Sequence, residues 1–163
     1  MLRLDALGHK PTYSHKHYTN YQFDSQKLLK KWHEFKIIYD DKKKKINVFA
    51  DQEKIHQVLT NLIENSIKYG KTNGTTEISV ENLIDNKLLV RITDNGKGIN
   101  KEHFERLFER FYRVESSGSR STGGSGLGLA IVKHIIDAHN EKIYVESDFG
   151  VGSEFSFSIE KSK

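Results

Sequence analysis

The stretch Asn61-Leu-Ile-Glu-Asn65-Ser-Ile-Lys68-Tyr69 lies in the second half of a predicted helix, which spans about residues 52–69 after a cap at Asp51. A mostly apolar stripe on this helix is formed by Ile55, Leu59, Leu62 and Ser66. A polar stripe is formed by Asn61, Asn65 and Lys68. Asparagine is a poor helix former, so this stripe suggests carboxamide oxygens for a hard cation and an ammonium for phosphate. A solvated helix face is the alternative.

Outward from this helix, strands and helices follow in mixed order. On the N-terminal side, Asp24 or Ser25 can cap a helix that runs to Phe35, before strands at 37–39 and 46–50. On the C-terminal side the pattern predicts two strands joined at Asp85-Asn86, a short helix near 101–112, a Ser/Gly-rich loop at 116–126, a helix at about 127–139 and a final hairpin. The predicted fold class is α/β, a two-layer sandwich with a mixed, mostly antiparallel sheet of about five strands and three main helices on one face.

The composition limits the possible classes of protein. A chain of 163 residues with 36% hydrophobic and 29% charged residues fits about one folded domain. No apolar run approaches the roughly 20 residues of a bilayer span. The absence of Cys excludes disulfides and thiolate metal sites. The 26 Lys and Arg exceed the 22 Asp and Glu to give a net charge of +4, which fits a solvated basic surface better than a nucleic-acid module.

Three further segments have residue patterns that ligand sites use. Asp94-Asn-Gly96-Lys-Gly98-Ile99 follows a strand and predicts a carboxylate that can accept from an exocyclic amine, or else a plain turn. Gly123-Gly-Ser-Gly126-Leu-Gly128-Leu leads into a helix whose free N–H groups can face an anion, or serves as a hinge. Phe104-Glu-Arg-Leu-Phe108-Glu-Arg-Phe111-Tyr-Arg113 fits a small amphipathic helix, which between two glycine loops can also act as a hinged lid.

The order and spacing of the four segments resemble the ATP-binding catalytic domain of sensor histidine kinases, in the wider family with DNA gyrase, Hsp90 and MutL-type ATPases. The resemblance covers roughly residues 21–160. Residues 57–69 are similar to the N box, 94–98 to the G1 box, 104–111 to the F box and 124–129 to the G2 box. Gly150-Val-Gly152-Ser153-Glu-Phe155 is similar to the last glycine motif, although the family more often has Thr at the position of Ser153.

The resemblance implies ATP and Mg²⁺ as cofactors. Asn65 would coordinate the Mg²⁺ that bridges the phosphates, with Asn61 nearby, while Lys68 and Arg113 would contact phosphate. Asp94 would accept a hydrogen bond from the adenine amino group, and a mobile lid would cover the nucleotide. The other residues that this resemblance places around the nucleotide are Tyr69, Gly96, Gly98, Ile99, Phe108, Gly124, Gly126, Leu127, Gly128 and Ser153.

Position 61 favours transfer over hydrolysis. The hydrolytic relatives carry a Glu four residues before the Mg²⁺-binding Asn as a general base for water. Here that position is Asn61, and Glu64 lies about 100° around the helix from Asn65. Transfer of the phosphoryl group to a protein acceptor is therefore the leading expectation. A free-standing ATPase and a non-catalytic nucleotide-binding regulator are the alternatives.

The acceptor histidine is expected outside this chain. His33-Glu34-Phe35-Lys36 resembles an acceptor motif, but Ile37 and Ile38 stand where Thr or Asn and then Pro belong, and we expect it on a helix of the core. Residues 1–20 are interpreted as the remnant of a dimerisation helix and a linker, and residues 21–163 as the catalytic domain. The expected partners are an upstream dimerisation and phosphoacceptor domain and a response regulator, without nucleic acid. The chain alone would be monomeric, and the whole protein a homodimeric inner-membrane sensor kinase with this domain in the cytoplasm.

Overall fold

The computed structural model describes residues 33–39, 47–114 and 124–162, with the backbone alone at 33–39. Five strands form one sheet in the order β1-β2-β3-β5-β4. The strands are β1 (His33–Tyr39), β2 (Gly74–Asn82), β3 (Lys87–Asp94), β4 (Ile143–Asp148) and β5 (Gly152–Glu160). The helices are α1 (Gln52–Tyr69), a 3₁₀ helix (Lys101–Arg106) and α2 (Gly128–Ala138).

The pairing of the strands confirms the predicted mixed, mostly antiparallel sheet. β1 and β2 are parallel, and α1 lies between them in the chain, as a parallel crossover requires. The other neighbouring pairs are antiparallel. β2 and β3 are joined at Asp85 and Asn86, both with φ of 59°, the left-handed pair of a type I′ turn. This register places Thr76 and Ser153 on either side of Asp94.

Both α-helices have identifiable ends. The Asp51 side chain accepts a hydrogen bond from the backbone N–H of Lys54 at 3.1 Å, which confirms the predicted cap of α1. His139, at the end of α2, accepts through Nε2 from the backbone N–H of Asp51 at 3.1 Å. The end of α2 is therefore tied to the start of α1.

The core lies between the two helices and one face of the sheet. Its buried members are Val58, Leu62, Leu88, Ile92, Val132, Ile135, Ile136, Phe155, Phe157 and Ile159. The other face of the sheet is polar, because Arg91 pairs there with Glu81 and Glu154. Within the described residues, the two α-helices cover one face of the sheet, which is the layering of a two-layer α/β sandwich.

Three predicted boundaries are wrong. Residues from His33 onward belong to β1, so Phe35 and the His33–Lys36 segment lie on a strand and not on a helix. The strand expected at 46–50 is reduced to an isolated bridge between Val48 and Lys161. The helix expected at 101–112 is a 3₁₀ helix that ends at Arg106, because the chain beyond it continues in separate turns.

Several predictions fall on residues that the structure does not describe. They are the helix remnant and linker at 1–20, the first part of the helix before residue 33 and most of the Ser/Gly-rich loop at 116–126. Within the described residues, no helix has both the length and the apolar character that crossing a membrane requires.

Candidate functional site

Three segments that are distant in sequence meet at one end of the sheet. The backbone N–H of Lys97 donates to the carbonyl oxygen of Tyr69 at 3.2 Å, so the loop after β3 lies against the end of α1. At the start of α2, a Cβ placed on Gly128 would lie 3.5 Å from Oδ1 of Asn61 and 4.0 Å from Nδ2 of Asn65. The polar stripe of α1 therefore faces the glycine-rich segment.

Asp94 ends β3 as a half-buried carboxylate. Its Oδ1 accepts a hydrogen bond from the backbone N–H of Gly96 at 2.8 Å. Burial raises the pKa of Asp94 above its usual value, and the backbone N–H groups of Gly96 and Ser153 partly oppose this by stabilising the charged form. The structure thus holds an acceptor in a fixed position at a site of reduced solvation.

Gly98 has a φ of 68°, and a Cβ on it would overlap the backbone carbonyl of Asp148. The loop after β3 therefore packs backbone against backbone on the β4–β5 hairpin. The backbone N–H of Gly150 also donates to the carbonyl oxygen of Lys97 at 2.6 Å. Gly98 was expected to lie beside a ligand, and this close packing within the protein was not predicted from its sequence context.

Ser147 joins the same loop to the hairpin through its hydroxyl. Its Oγ accepts from the backbone N–H of Ile99 at 2.8 Å and donates to the carbonyl oxygen of Gly152 at 2.7 Å. It also lies 3.0 Å from Oγ of Ser153. Ser147 was not among the predicted site residues, and its only signal in the sequence is a small polar residue in an otherwise alternating strand.

A second contact that was not predicted lies on β2, at the register position opposite Asp94. The hydroxyls of Ser66 and Thr76 lie 2.7 Å apart, and both residues are buried. Thr76 is the register partner of Asp94. Ser66 was placed on the apolar stripe of the helix, and its inward position is confirmed, but the polar partner on β2 was not foreseen.

The polar stripe on α1 contains a buried polar atom that is not satisfied. Nδ2 of Asn61 is inaccessible to solvent and has no hydrogen-bond partner among the described residues. A buried amide without a partner is costly, and its presence commonly marks a site that a ligand or water completes. Oδ1 of the same residue faces Gly128, at the N-terminal end of α2.

Lys68 lies about two turns after Asn61 on α1, beside the glycine-rich segment. Its Nζ is 4.8 Å from the centre of the Tyr69 ring, within the range of a cation–π contact. A side chain on Gly124 would overlap this Nζ, so the glycine leaves room for the ammonium. The predicted neighbours Lys68, Tyr69 and Gly124 are thus brought together.

The segment around Phe108 and the start of α2 are joined through their backbones. Phe108 packs against the core, as predicted for the amphipathic segment. The backbone N–H of Phe111 donates to the carbonyl oxygen of Gly126 at 2.9 Å, and both residues are left-handed, with φ of 65° and 70°. Leu127 directly precedes the first residue of α2. Arg113, two residues after Phe111, is exposed.

The chemistry of these groups suits a polyanion with a hard cation. The groups on α1 and α2 are carboxamides, an ammonium and a helix N-terminus, which is the set that phosphates and Mg²⁺ favour. In residues 33–39, 47–114 and 124–162, no group of three or more His, Cys, Asp or Glu side chains could hold a metal ion. A cation at this site would therefore take further oxygen ligands from water or from a bound phosphate.

Comparison with known families identifies the class. Residues 50–163 match the family described as histidine kinase-, DNA gyrase B- and HSP90-like ATPase. The chain belongs to this family.

Individual relatives are sensor kinases. Over 124 residues, or 76% of this chain, it is 40% identical to the sensor protein kinase WalK of Staphylococcus aureus, of which it covers 30%. The chain thus spans less than a third of the length of that curated relative. The nucleotide-free catalytic domain of histidine kinase ThkA is 31% identical with a TM-score of 0.70, and the match covers 83% of this chain and 84% of that one.

Two similar structures are complexes with a bound molecule. Full-length ShkA in complex with AMPPNP is 25% identical with a TM-score of 0.65, over 79% of this chain and 26% of that one. ThkA in complex with the response regulator TrrA is 31% identical with a TM-score of 0.65, over 84% of this chain and 36% of that one. These relatives confirm the predicted resemblance to sensor histidine kinases.

Proposed function

We propose that the chain binds ATP with Mg²⁺ and donates the γ-phosphoryl group to a histidine on a dimerisation domain, as the catalytic domain of a two-component sensor kinase. The observation that carries the proposal is the convergence of Asn61 and Asn65 with Gly128 beside the loop that Asp94 begins. Family membership and the AMPPNP complex of ShkA support it.

At the base-binding end, Asp94 accepts a hydrogen bond from the exocyclic amine of adenine. Gly96 and Ser153 hold the carboxylate through their backbone N–H groups. Tyr69 is 38% exposed at the end of α1, which leaves its ring available to pack against the ribose or the base. The family resemblance also places Gly98 and Ile99 at this end of the nucleotide.

At the phosphate end, Asn65 would hold Mg²⁺ through its carboxamide oxygen, with Asn61 beside it. Lys68 and Arg113 neutralise phosphate charge, and the N–H groups at Gly124, Gly126 and Gly128 face the phosphate chain. Bound Mg²⁺ would neutralise the charge that develops on the phosphate oxygens. The chain's own part is to position the γ-phosphate and to exclude competing water.

Transfer fits the structure better than hydrolysis. Glu64 is exposed on α1, whereas Asn61, at the position where hydrolytic relatives have their base, is partly buried. A carboxamide cannot take a proton from water. In the proposed transfer, a ring nitrogen of the acceptor histidine forms a bond to the γ-phosphorus while the bond to the β–γ bridging oxygen breaks, and ADP leaves.

The partners follow from the same proposal. The proposal assigns residues 21–163 to the catalytic domain and residues 1–20 to its connection with the dimerisation domain. The phosphoacceptor domain precedes this chain in a homodimeric, membrane-anchored kinase, with the catalytic domain in the cytoplasm. A response regulator then receives the phosphoryl group, as the ThkA complex with TrrA supports.

Calorimetric titration with AMPPNP and Mg²⁺ tests the binding site. Asp94→Ala is expected to lose roughly 10- to 150-fold in affinity, the value of a hydrogen bond to a charged group. Asn65→Ala is expected to lose affinity with Mg²⁺ present and little in EDTA. Asp137→Ala, which removes an exposed carboxylate on α2 that pairs with Lys133, is the matched control and should bind as wild type. Equal binding by Asp94→Ala and wild type would show that the site is misassigned.

Mixing the chain with the dimerisation domain of a related sensor kinase tests the reaction. Acid-labile phosphate on that domain is the expected product. Steady release of inorganic phosphate without an acceptor would instead support the free-standing ATPase. Clear nucleotide binding with neither product would support the non-catalytic regulator.

A further inference from the structure

Tyr112, which directly precedes Arg113, has contacts that the proposed binding roles do not use. Its hydroxyl lies 2.7 Å from Nδ1 of His103 on the 3₁₀ helix. The guanidinium of Arg106 lies over its ring, 4.4 Å from the centroid. The side chain is therefore held at its tip by one residue and on its face by another.

The two supporting side chains are oriented by acidic neighbours. Nε of Arg106 lies 3.1 Å from Oε2 of Glu109. Nε2 of His103 lies 3.6 Å from a carboxylate oxygen of Glu102. Nδ1 is the ring nitrogen that shares the hydrogen bond with the Tyr112 hydroxyl. His103 has only 20% of its side chain exposed, so this hydrogen bond is partly shielded from water.

The residue before Tyr112 is fixed as well. Phe111 is left-handed, a conformation that is unfavourable for an L-residue. Its ring is 72% exposed, so burial of the ring does not offset that cost. The offset comes from the hydrogen bond to Gly126 on one side and the Tyr112 contacts on the other. Arg113 therefore extends from backbone that is held from two directions.

We infer that Tyr112 is a positioning residue, which through His103 and Arg106 fixes the backbone from which Arg113 reaches the terminal phosphate of the bound nucleotide. The inference deepens the proposed function and rests on it. It predicts that loss of the Tyr112 hydroxyl weakens binding of a triphosphate and spares binding of a diphosphate, because only the triphosphate presents the γ-phosphate to Arg113.

The test compares the affinities of AMPPNP and ADP, each with Mg²⁺, by calorimetry. Tyr112→Phe keeps the ring beneath Arg106 and removes only the hydroxyl. It is expected to lower the AMPPNP affinity about five-fold, the factor that one net hydrogen bond provides, and to leave the ADP affinity unchanged. Arg113→Ala should show the same selectivity with a larger loss. The double variant should match Arg113→Ala alone, because the two residues act through one contact.

Rescue and control variants separate positioning from general loss of structure. His103→Asn keeps a polar atom close to the position of Nδ1 and should preserve the AMPPNP preference, whereas His103→Leu should lower it as Tyr112→Phe does. Tyr144→Phe, on the exposed part of β4, is the matched control and should change neither affinity. The inference would be overturned if Tyr112→Phe left the ratio of the AMPPNP and ADP affinities unchanged, or if its loss of AMPPNP affinity added to that of Arg113→Ala. The proposed function would stand in either case. Failure of the wild-type chain to bind either nucleotide would overturn the proposed function together with the inference.

Discussion

The two ends of the candidate site differ in how completely the protein satisfies its own polar groups. At the Asp94 end, formed by residues 94–99 and 147–153, the carboxylate, the Ser147 hydroxyl and the loop backbone bond to one another. At the Asn61 end, formed by Asn61, Asn65, Lys68 and residues 124–128, a buried amide has no partner among the described residues. The Asp94 end is therefore held together by contacts within the protein, whereas the Asn61 end has a polar group that is available to a ligand.

This difference predicts which substitutions should change the free energy of unfolding and which should change the affinity for a ligand. At the Asp94 end, the close packing at Gly98 and the hydrogen bonds of Ser147 contribute to stability, so changing these two residues should affect folding first. At the Asn61 end, the amide of Asn61 is not satisfied by the described residues, so changing Asn61 should affect binding first.

Among the substitutions considered, Gly98→Ala is expected to destabilise the Asp94 end most. A left-handed alanine costs about 1–2 kcal/mol, and the overlap with the Asp148 backbone adds an overpacking cost of about 1–3 kcal/mol. The free energy of unfolding, measured by urea denaturation, should fall by about 3 kcal/mol. Gly150→Ala is the matched control, because Gly150 has a φ of 85° and a Cβ added there would meet no atom within 4 Å. Equal losses in the two variants would show that the close packing at Gly98 does not contribute to the free energy of unfolding.

Ser147→Ala is expected to loosen the same end by a smaller amount. It removes a hydroxyl that accepts from Ile99 and donates to Gly152, so the free energy of unfolding should fall by about 1–2 kcal/mol. Hydrogen exchange should report faster opening at the N–H of Ile99 than at core strand residues. Ser79→Ala, on β2, is a control that changes a strand serine away from this loop. A Ser147→Ala variant as stable as wild type would mean that the loop does not depend on this hydroxyl.

Regular elements with local signals were predictable from the sequence, and the contacts at the Asp94 end were not. The Asp51 cap, the polar stripe of α1 and the Asp85-Asn86 turn each depend on residues close together in the chain. Ser147, in contrast, joins a loop about 48 residues earlier to its own hairpin, and only the assembled sheet brings them together. The grouping of Asn61 with Gly128 was predicted through the family resemblance and not from the spacing of the residues.

The incorrect boundaries have tertiary causes. Phe104, Leu107, Phe108 and Phe111 have helical spacing, but the hydrogen bond of Phe111 to Gly126 and the contact of Tyr112 with His103 select turns after Arg106. His33 to Lys36 extend β1 because the parallel register with β2 continues back to Gly74. Such pairings over long sequence distances override local propensity.

Asn61→Ala is expected to act in the opposite direction on stability and binding. Alanine is the better helix former and leaves no buried N–H unpaired, so the free energy of unfolding should rise by about 0.5–1 kcal/mol. The affinity for AMPPNP with Mg²⁺ should fall about ten-fold, because a polar contact to the phosphates or the cation is lost. Gln57→Ala, at an exposed position of the same helix, should change the affinity little. A loss of stability in Asn61→Ala would mean that the polar groups of the Asn61 end are satisfied within the protein, as those of the Asp94 end are.

Asp94→Asn is expected to have the smallest effect on stability, and its sign depends on pH. Because burial raises the pKa of Asp94, the folded chain holds the proton more tightly than the unfolded chain does. The carboxyl thus favours folding below its usual pKa of 3.8, and this contribution is lost as the pH rises through the raised pKa of the folded state. The neutral amide avoids that loss, so the variant should be more stable than wild type at pH 7, and the difference should disappear at pH 3. Urea denaturation at both pH values measures it, with Asp137→Asn as an exposed control. A difference that is the same at both pH values would show that burial of the charge is not its cause. If the difference does depend on pH, the Asp94 end keeps a charged carboxylate at a cost to folding, and a hydrogen bond to a ligand amine would explain why that charge is retained.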